Sequence, residues 1–507
     1  MPELRNVRVL ICLVRAISNS LEQDADRLST KLFVYVFSAA IYNLYFHPLR
    51  SFRGPRLYAI SRVPWSFKLI SGKSIFKVME LHERYGEIVR IAPNELLFQS
   101  SRAWDDIMGH RKWPVEENAK EPLLYTREVP DIVSSKQHDH RRFRRILSPL
   151  FSAKAIQDQQ ALVLPYINLL IRQLHLKGQD GALALDATHW FNWTAFDIVA
   201  NLMFGEPFGC LLDGYYHPWV AMFVDNTKAI FLLNYSKYFS FLSAALYYVV
   251  PRLLKKKMEE HARLTKENVQ KRLHRGGQQH LDWIHTMSRN KEGKGMSISE
   301  MEANSNVIII AGSETTATAL SGATYYLTSN PAVLEKLSSE VRSNFRSFDE
   351  IDLVSVHQLP YLHAVIEESL RMFPPLPMGL PRITPQGGNM ICGNFIPGNT
   401  ILSIWHYPTY RSPRFFTKPD SFMPERWMGD PRFSNDQKRA FQPFHTGPRN
   451  CAGRHLAYAE MKAILARIVF DFDMHLSPES QNWESSLRAY ALWEMPPLMV
   501  YFEPRRT

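Results

Sequence analysis

The segment FHTGPRNCAG, residues 444–453, carries the strongest signal in this chain. Its cysteine, Cys451, lies just before a helical pattern, where free N–H groups and the helix dipole favour an anionic sulfur. Gly447 and Gly453 permit a tight loop and a close approach of the backbone to a flat or bulky partner. Arg449 can pair with an anionic group on that partner. The segment therefore predicts a thiolate that meets a second, partly anionic molecule.

Three uses of such a thiolate compete. A nucleophilic cysteine needs a base, and although the chain has 18 histidines, no nearby arrangement marks one of them as that base. A purely structural cysteine would need neither the glycines nor the arginine. An axial ligand of haem iron needs one sulfur, a glycine-lined turn, a cation for a propionate and an apolar shield such as Phe444. The axial ligand is the use that accounts for every feature of the segment.

Composition narrows the alternatives further. The chain has 507 residues, is 45% hydrophobic, carries a net charge of +11 and has four cysteines without a C-x-x-C pair. A disulfide framework, a zinc knuckle and an iron–sulfur cluster are therefore not expected. The excess of basic residues suits a membrane surface or an acidic partner protein. We expect no nucleic-acid partner, because no nucleic-acid-binding module is visible.

The segment fits the pattern F-x-x-G-x-R-x-C-x-G, which resembles the haem-binding loop of the cytochrome P450 family. Three further motifs occur in the order that this family has: AGSETT at 311–316, ESLR at 368–371, and PERW, which contains Arg426. Each motif is weak alone, but their joint order is specific. The resemblance extends from residue 47 to the end of the chain.

The resemblance implies a set of residues around haem b. Cys451 would be the proximal ligand of the iron, and Arg449 and Arg382 would hold the two propionates. Arg144 matches an arginine on the helix that crosses the haem. His140, four residues earlier, stands where the family often has tryptophan, and it could still donate a hydrogen bond. The other residues assigned to the haem site are Phe444, Gly447, Gly453, Ala311 and Gly312.

AGSETT would lie on the oxygen-binding side of the haem. The small residues Ala311 and Gly312 would leave room for dioxygen. Thr315 would hydrogen-bond the bound oxygen or a nearby water, and Glu314 would help to relay protons from solvent. The alternative for Thr315 is a hydrogen bond to its own helix. This acid–alcohol pair favours oxygen activation over electron carriage.

Glu368, Arg371 and Arg426 resemble the buried charge triad of the family. A Glu-x-x-Arg pair is more often an exposed salt bridge on one helical face. Two buried arginines that share one glutamate must all pair, because an unpaired buried charge is costly. The resemblance implies a structural role, in which the triad fixes the loop that presents Cys451.

Periodicity predicts a mainly α fold with small β-sheets, and the resemblance implies the cytochrome P450 fold in one large catalytic domain over 61–507. A long helix is expected at 297–330, with a capping box formed by Ser299 and Glu302 and an end at Asn330-Pro331. Further helices are expected at 331–347, 360–373 and 453–472, and short strands at 86–99, 382–402 and 496–503.

The amino-terminal segment 1–46 contains an uncharged apolar stretch at about 32–46, which with His47-Pro48-Leu49 reaches the lower limit for a membrane-spanning helix. Arginines are more frequent after it than before it, so the positive-inside rule places residues 47 onward in the cytosol. We expect a single anchor in the endoplasmic reticulum membrane and a proline-containing hinge at 47–60. The alternative is a buried helix at the edge of the globular domain.

The implied reaction is the insertion of one oxygen atom from O2 into a substrate. The chain has no G-x-G-x-x-G dinucleotide fingerprint, so electrons would come from an NADPH-dependent cytochrome P450 reductase. Its docking face would lie near Arg449, Arg454 and Lys462. The pocket is expected from 113–133, 207–245, 304–315, 376–381 and 488–493, and it should accept a hydrophobic small molecule.

The carboxyl-terminal segments resemble fungal monooxygenases of secondary metabolism, including trichothecene-pathway hydroxylases. A terpenoid or polyketide intermediate, as in mycotoxin biosynthesis, is the implied substrate. Two other functions remain open on the same fold. The first is a haem enzyme that performs isomerisation, ring closure or peroxide-driven chemistry. The second is a non-catalytic haem sensor or carrier.

Overall fold

The computed structural model describes residues 30–31, 33–111, 116–224, 226–239, 252–275, 282–288 and 295–505. The catalytic domain is mainly helical, as predicted. Its α-helices are α1 Arg56–Ile60, α2 Val63–Ile70, α3 Ser74–Tyr85, α4 Ser101–Ala103, α5 Pro122–Tyr125, α6 Gln137–Leu147, α7 Ala153–Gly178, α8 Ala187–Phe204, α9 Cys210–Asp213, α10 Pro218–Val224, α11 Thr227–Ser236, α12 Arg252–His274, α13 Trp283–Ser288, α14 Ile298–Thr328, α15 Pro331–Asn344, α16 Pro360–Met372, α17 His406–Tyr410 and α18 Arg454–Asp471.

Twelve short strands in the described ranges form small sheets. They are β1 Ile88–Ala92, β2 Glu95–Phe98, β3 Ala119–Lys120, β4 Leu185–Asp186, β5 Arg382–Ile383, β6 Asn389–Ile391, β7 Asn394–Ile396, β8 Ile401–Ile404, β9 Phe472–Leu476, β10 Arg488–Tyr490, β11 Leu492–Glu494 and β12 Met499–Pro504. The largest sheet has the order β1-β2-β8-β5-β3, in which β2 and β8 are parallel and the other pairs are antiparallel.

Helix α14 organises the domain. Its 31 residues span about 46 Å at the usual rise per residue, and its carboxyl-terminal half, Thr316 to Leu327, is buried throughout. Helix α8, which is also buried on nearly all sides, packs along it. The apolar sequence of α8 and of the carboxyl-terminal half of α14 follows from this position, because almost every side chain there is buried.

The capping box of α14 lies two residues before the predicted one. Ser297 is the N-cap, its side chain accepts a hydrogen bond from the Glu300 N–H at 3.2 Å, and the Glu300 side chain bonds back to the Ser297 N–H. The prediction of Ser299 and Glu302 is therefore wrong. The S-x-x-E spacing occurs twice within residues 297–302, and the first copy starts the helix, which leaves Ser299 inside the first turn.

Residues 33–46 are helical and end in one turn of π-helix at Tyr42–Phe46. The buried Arg90 side chain binds the end of this helix, because its Nη1 donates to the Asn43 carbonyl at 2.9 Å while Nε and Nη2 donate to the Pro93 carbonyl. Among the described residues, no helix is both long and apolar enough to cross a membrane. The anchor, the hinge and the domain boundaries stay predictions.

Candidate active site

A cavity of about 290 Å³ lies between α14 and the loop that contains Cys451. Cys451 and Thr315 both line it, so the cysteine and the predicted oxygen-side residue face one space. The exposed surface of Cys451 opens into this cavity. The predicted site residues that line it are Cys451, Arg449, Arg144, His140, Phe444, Gly453, Ala311, Gly312 and Thr315.

The two glycines of the cysteine loop have different roles. Gly447 has a φ of +77°, and a Cβ there would lie 2.0 Å from the Met108 carbonyl oxygen, so no other residue fits. Gly453 has an ordinary φ of −86°, and a Cβ at this position would lie no closer than 3.7 Å to its nearest neighbour, Phe151. Its contribution is the open space that it leaves at the cavity wall.

The sulfur of Cys451 is held by the loop itself. The Cys451 N–H donates to the Phe444 carbonyl at 2.9 Å, which closes the turn three residues before α18 begins. Burial raises the pKa of the thiol, although a hydrogen bond from the Gly453 backbone and the charges of Arg144 and Arg454 oppose this. The start of α18 is therefore not sufficient to keep the Cys451 sulfur ionised. The thiol would lose its proton when a metal cation binds to it.

The opposite wall is formed by α14. The Thr315 hydroxyl donates to the Ala311 carbonyl at 2.7 Å, which is the local helix bond considered as its alternative role. The same hydroxyl faces the cavity, so both roles are open to it. A Cβ on Gly312 would lie 3.1 Å from Val199, which shows that glycine also allows α14 and α8 to pack closely.

Glu314 does not line the cavity. Its side chain is buried, its Oε1 has no hydrogen-bond partner in the described structure, and burial raises its pKa to about 7. Burial is the larger cause of the raised pKa of Tyr216, and the charge of Glu314 is the next. Tyr216 therefore lies near Glu314. A carboxyl that is half protonated at neutral pH suits proton transfer, and Tyr216 is a neighbour that the sequence did not indicate.

A cluster of cations lies at one side of the cavity. Arg449 donates to the Ser135 carbonyl at 2.9 Å and to Glu117 at 3.0 Å, but its Nε is buried without a partner among the described residues. Arg382, which is also buried, has an unpartnered Nε in the same described ranges and one long bond of 3.4 Å to the Asn118 carbonyl. Two orphaned guanidinium N–H groups beside a cavity fit a ligand that carries carboxylates.

His140 and Arg144 lie on α6 at the same cavity. Burial, followed by the charge of Arg449, lowers the pKa of His140 to about 4, so its ring is neutral and can donate one hydrogen bond. Arg144 donates to the Asn450 carbonyl at 2.9 Å and to the Asn450 side chain at 2.7 Å. Arg144 therefore fixes the residue that precedes Cys451.

Comparison with known proteins shows the family of this chain. The family model described as Cytochrome P450 matches residues 55–502. The chain belongs to the cytochrome P450 family. It is 41% identical to trichothecene C-15 hydroxylase of Fusarium sporotrichioides over 93% of this chain and 96% of that protein. It is 40% identical to cytochrome P450 monooxygenase astA of Talaromyces wortmannii, over 92% and 94% of the two chains.

A third relative, cytochrome P450 monooxygenase cpaH of Aspergillus oryzae, is 40% identical over 96% of this chain and 97% of its own length. The resemblance to fungal secondary-metabolism members is thus confirmed. This cytochrome P450 is an oxidoreductase that incorporates oxygen, and the family implies a haem with a cysteine thiolate ligand.

Glu368, Arg371 and Arg426 of this cytochrome P450 lie together in the interior. Arg371 donates twice to Glu368, at 2.9 Å from both Nε and Nη2, and Arg426 lies 3.3 Å from the same carboxylate. All three side chains are fully buried. Two partners of these charges were not predicted from the sequence. Asp436 pairs with Arg426, and Trp427 Nε1 donates to Glu368 at 2.9 Å.

Two further residues that line the cavity were not assigned to the site from the sequence. Lys120 lines it, and burial, then Arg382 and Arg449, lower the pKa of its amine well below the usual range. Glu460 lines it from α18, has an Oε1 without a partner in the described structure, and has a pKa that burial raises to about 8. Lys120 lies on a two-residue strand and Glu460 inside a helical pattern, so neither produced a local signal.

The predicted pocket segments 113–133, 207–245, 304–315, 376–381 and 488–493 all contribute to this cavity or to a second one beside it. Residues 113–115, 225 and 240–245 of these segments lie outside the described residues. The lining is mostly aliphatic and aromatic, as expected for a lipophilic substrate.

Proposed function

We propose that this chain binds haem b through Cys451 and hydroxylates a hydrophobic small molecule, a terpenoid or polyketide intermediate of secondary metabolism. The observation that carries the proposal is that Cys451 and Thr315 line one apolar cavity. The relative named trichothecene C-15 hydroxylase supports an intermediate of that chemistry. The balanced reaction is RH + O2 + NADPH + H⁺ → ROH + H2O + NADP⁺.

Haem with a thiolate ligand supplies the activation of O2. Cys451 would hold the iron, and Arg449, Arg382 and Lys120 would receive the two propionates, whose negative charge would add to that of Glu117 beside Arg449. The neutral His140 would donate a hydrogen bond on the same side. Phe444 lines the cavity beside Cys451, where it excludes water from the sulfur.

The chain's own proton donors lie on α14. The Thr315 hydroxyl can turn from the Ala311 carbonyl toward the cavity, where it holds a proton for the reacting oxygen. Glu314 is buried next to it in sequence and carries a proton on about half of the molecules near pH 7. We infer that Glu314 passes protons inward and that Thr315 positions them.

Electrons would come from an acidic NADPH-dependent reductase that docks on the cysteine side. Arg449 and Lys462 cannot contribute charge to its surface, since both side chains are buried, and this corrects the expected docking face. Arg454 is exposed, and so are Arg141 and Arg145 of α6. These three arginines supply the basic surface for an acidic partner.

We further propose that the anchor holds the domain at the cytosolic face of the endoplasmic reticulum membrane. The apolar side chains of the helix at 33–46, such as Phe33 and Phe46, are largely exposed. A cytosolic domain carries no N-linked sugar. The chain has two N-x-S/T sequons, Asn192-Trp193-Thr194 and Asn234-Tyr235-Ser236. Asn192 is buried and uninformative, whereas Asn234 is partly exposed and would report a lumenal orientation.

The decisive experiment combines a spectrum with turnover. The reduced protein under carbon monoxide should show the red-shifted Soret band of a thiolate-ligated haem, and Cys451→Ala should abolish it. Deletion of the gene should cause the substrate to accumulate, and product should form from that substrate only with NADPH and reductase. Product formation with peroxide alone, or isomerisation without NADPH, would support the alternative haem chemistries. A haem spectrum without any turnover would support a sensor.

A further inference from the structure

A second cavity of about 260 Å³ lies beside the haem cavity, and Leu380 lines both. We name it the outer cavity. Its walls come from α2, from α5, from α11 with Tyr238 just beyond it, from the loop before β5, and from the β10–β11 turn. Because the two cavities share a wall residue, a ligand longer than the haem cavity can extend into the outer one.

The lining of the outer cavity is mostly apolar, and its polar members other than Glu95, namely Thr227, Asn234, Ser403 and the tyrosines, are uncharged. Aromatic rings cover much of it: Phe231 lies 6.3 Å from Tyr235 and 6.1 Å from Tyr490, and Tyr235 lies 5.1 Å from Tyr238, between ring centroids. Among the described residues that line it, Glu95 is the one with an ionisable carboxyl and a formal charge. A charged group in such a wall requires an explanation.

Glu95 is anchored on one side and open on the other. Its Oε2 pairs with Nη1 of the buried Arg62, whose Nη2 donates to the Asn94 side chain at 3.0 Å. The Arg62 guanidinium also lies 4.2 Å from the centroid of the Tyr238 ring. Oε1 of Glu95 has no hydrogen-bond partner among the described residues. The ion pair thus holds in place the carboxylate of a residue that lines the cavity, and it leaves one acceptor oxygen without a partner in the described part of the chain.

An ionised carboxylate only accepts hydrogen bonds. A purely apolar ligand in the outer cavity would remove water from Oε1 and replace it with nothing, which costs binding free energy. A ligand with a hydroxyl at that point would restore the hydrogen bond. The outer cavity therefore selects among ligands by whether the end remote from the haem cavity carries a hydrogen-bond donor. Sites with buried polar groups generally select in this way.

We propose that the substrate is elongated and carries a hydroxyl group, remote from the carbon that is oxidised, which donates a hydrogen bond to Oε1 of Glu95. The apolar body between the two ends contacts the aromatic wall. The inference rests on the proposed function, because it takes the haem cavity as the place of oxidation. It adds to that function the position of one polar group on the substrate and the role of this group as a hydrogen-bond donor.

The test uses two series of probes: 1-alkylimidazoles, and the same compounds with a terminal hydroxyl. The imidazole nitrogen ligates the haem iron and shifts the Soret band, so the chain projects into the cavities from a fixed point. Titration of that shift gives Kd without any turnover. We expect the terminal hydroxyl to weaken binding of short chains, and to tighten binding about tenfold or more once the chain reaches Glu95.

Variants separate the acceptor from the shape of the cavity. Arg62→Met with Glu95→Leu removes the ion pair as a unit, which buried pairs often tolerate, and should abolish the advantage of the hydroxyl. The matched control is Lys228→Met with Glu494→Leu, an exposed pair at 3.8 Å near the same cavity, which should leave every Kd unchanged. Ile230→Trp fills the outer cavity and should weaken only the long probes, of both series.

The outcomes are distinguishable from failure of the proposed function. A protein without a Soret band, or one that imidazole does not shift, overturns both. A normal shift with no hydroxyl advantage at any chain length overturns only this inference, as does an advantage that survives in the Arg62/Glu95 double variant. If that variant does not fold, the Kd values of the two probe series for the wild type and for Ile230→Trp still test the inference.

Discussion

Glu314 and Thr315 are adjacent in sequence but lie in different surroundings, one in the protein interior and one at the cavity wall. A proton donor works in its protonated form, and the Glu314 pKa is about 7. We therefore expect coupled product formation to decline as the pH rises through 7. Glu314→Gln should lower the rate about 100-fold and remove this decline.

The measurement is product formed per unit time from pH 6 to 8.5, with reductase in excess. Glu335→Gln, an exposed carboxyl on α15, is the control and should keep the wild-type profile. An unchanged pH profile in Glu314→Gln would show that Glu314 does not deliver the proton.

The hydroxyl of Thr315 can be removed without changing the shape of its side chain. Thr315→Val should leave the haem spectrum intact but lower product per NADPH consumed by about tenfold, with hydrogen peroxide in its place, because the proton is no longer positioned. Thr315→Ser keeps the hydroxyl and should retain most of the coupling. If the valine variant forms as much product per NADPH as the wild type, the Thr315 hydroxyl serves only the hydrogen bond to the Ala311 carbonyl.

Residues in the cysteine loop could be located from sequence because the loop is local: the positions of Phe444, Gly447 and Arg449 relative to Cys451 are fixed by a ten-residue turn. Lys120 could not be located this way. It reaches the cavity only because β3 pairs with β5, which sets Lys120 opposite Arg382, a residue far away in sequence. No pattern within either segment specifies that pairing, so the third cation was invisible.

The turn at Pro424–Trp427 contributes Arg426 to the triad, and Asp436 completes it. Asp436→Asn leaves the buried Arg426 with one fewer negative charge, so we expect a loss of about 3 kcal/mol in the free energy of unfolding. Haem retention should fall with it, since the segment leads to the cysteine loop. Urea unfolding and the Soret-to-protein absorbance ratio measure the two effects.

The same stretch of chain offers a matched control. Asp430 and Arg432 form an exposed pair at 2.7 Å, so Asp430→Asn removes an aspartate–arginine pair from a solvated site. Its cost should stay below about 1 kcal/mol. Similar losses in both variants would argue against a structural role for the buried triad.

His175, near the end of α7, lies between two carboxylates: Asp180 at 2.8 Å and Asp471, the last residue of α18, also at 2.8 Å. Burial opposes protonation, but the hydrogen bonds to Asp471 and Asp180 outweigh it and raise the His175 pKa above its usual value. The pairing therefore stabilises the fold below the unfolded pKa of about 6.5, and this stability is lost as the pH rises through the folded pKa.

Asp471→Asn should consequently lower the melting temperature at pH 5.5 by more than at pH 9. The comparison of wild type and variant at the two pH values measures this difference directly. A loss that is the same at both pH values would mean that the contact is a neutral hydrogen bond rather than a charge pair.

Long periodic segments gave reliable elements. The stretches predicted at 297–330, 360–373 and 453–472 form helices at Ile298–Thr328, Pro360–Met372 and Arg454–Asp471. Their ends are marked by proline or by a cap, which act locally. The two-residue strands β3, β4 and β5 have no such signal, since each exists only through pairing with a distant segment.

The join between the amino-terminal helix and the catalytic domain determines how much of the chain can be removed. Residues 33–41 are mostly exposed, whereas the Asn43 carbonyl accepts a bond from the buried Arg90, and Leu49 is buried in the core beside β2 and β8. Deletion of residues 1–41 should therefore release the protein from membranes without changing its stability.

Deletion of residues 1–50 should in contrast destabilise the domain, because it exposes the site of Leu49 and leaves Arg90 with the Pro93 carbonyl alone. Burial of one leucine contributes about 2 kcal/mol, and Leu49→Ala in the full chain should cost a similar amount. The urea midpoints of the two truncated proteins measure this difference. Equal midpoints would mean that Arg90 and Leu49 do not couple the helix to the sheet, and that residues 42–50 contribute no stability to the domain.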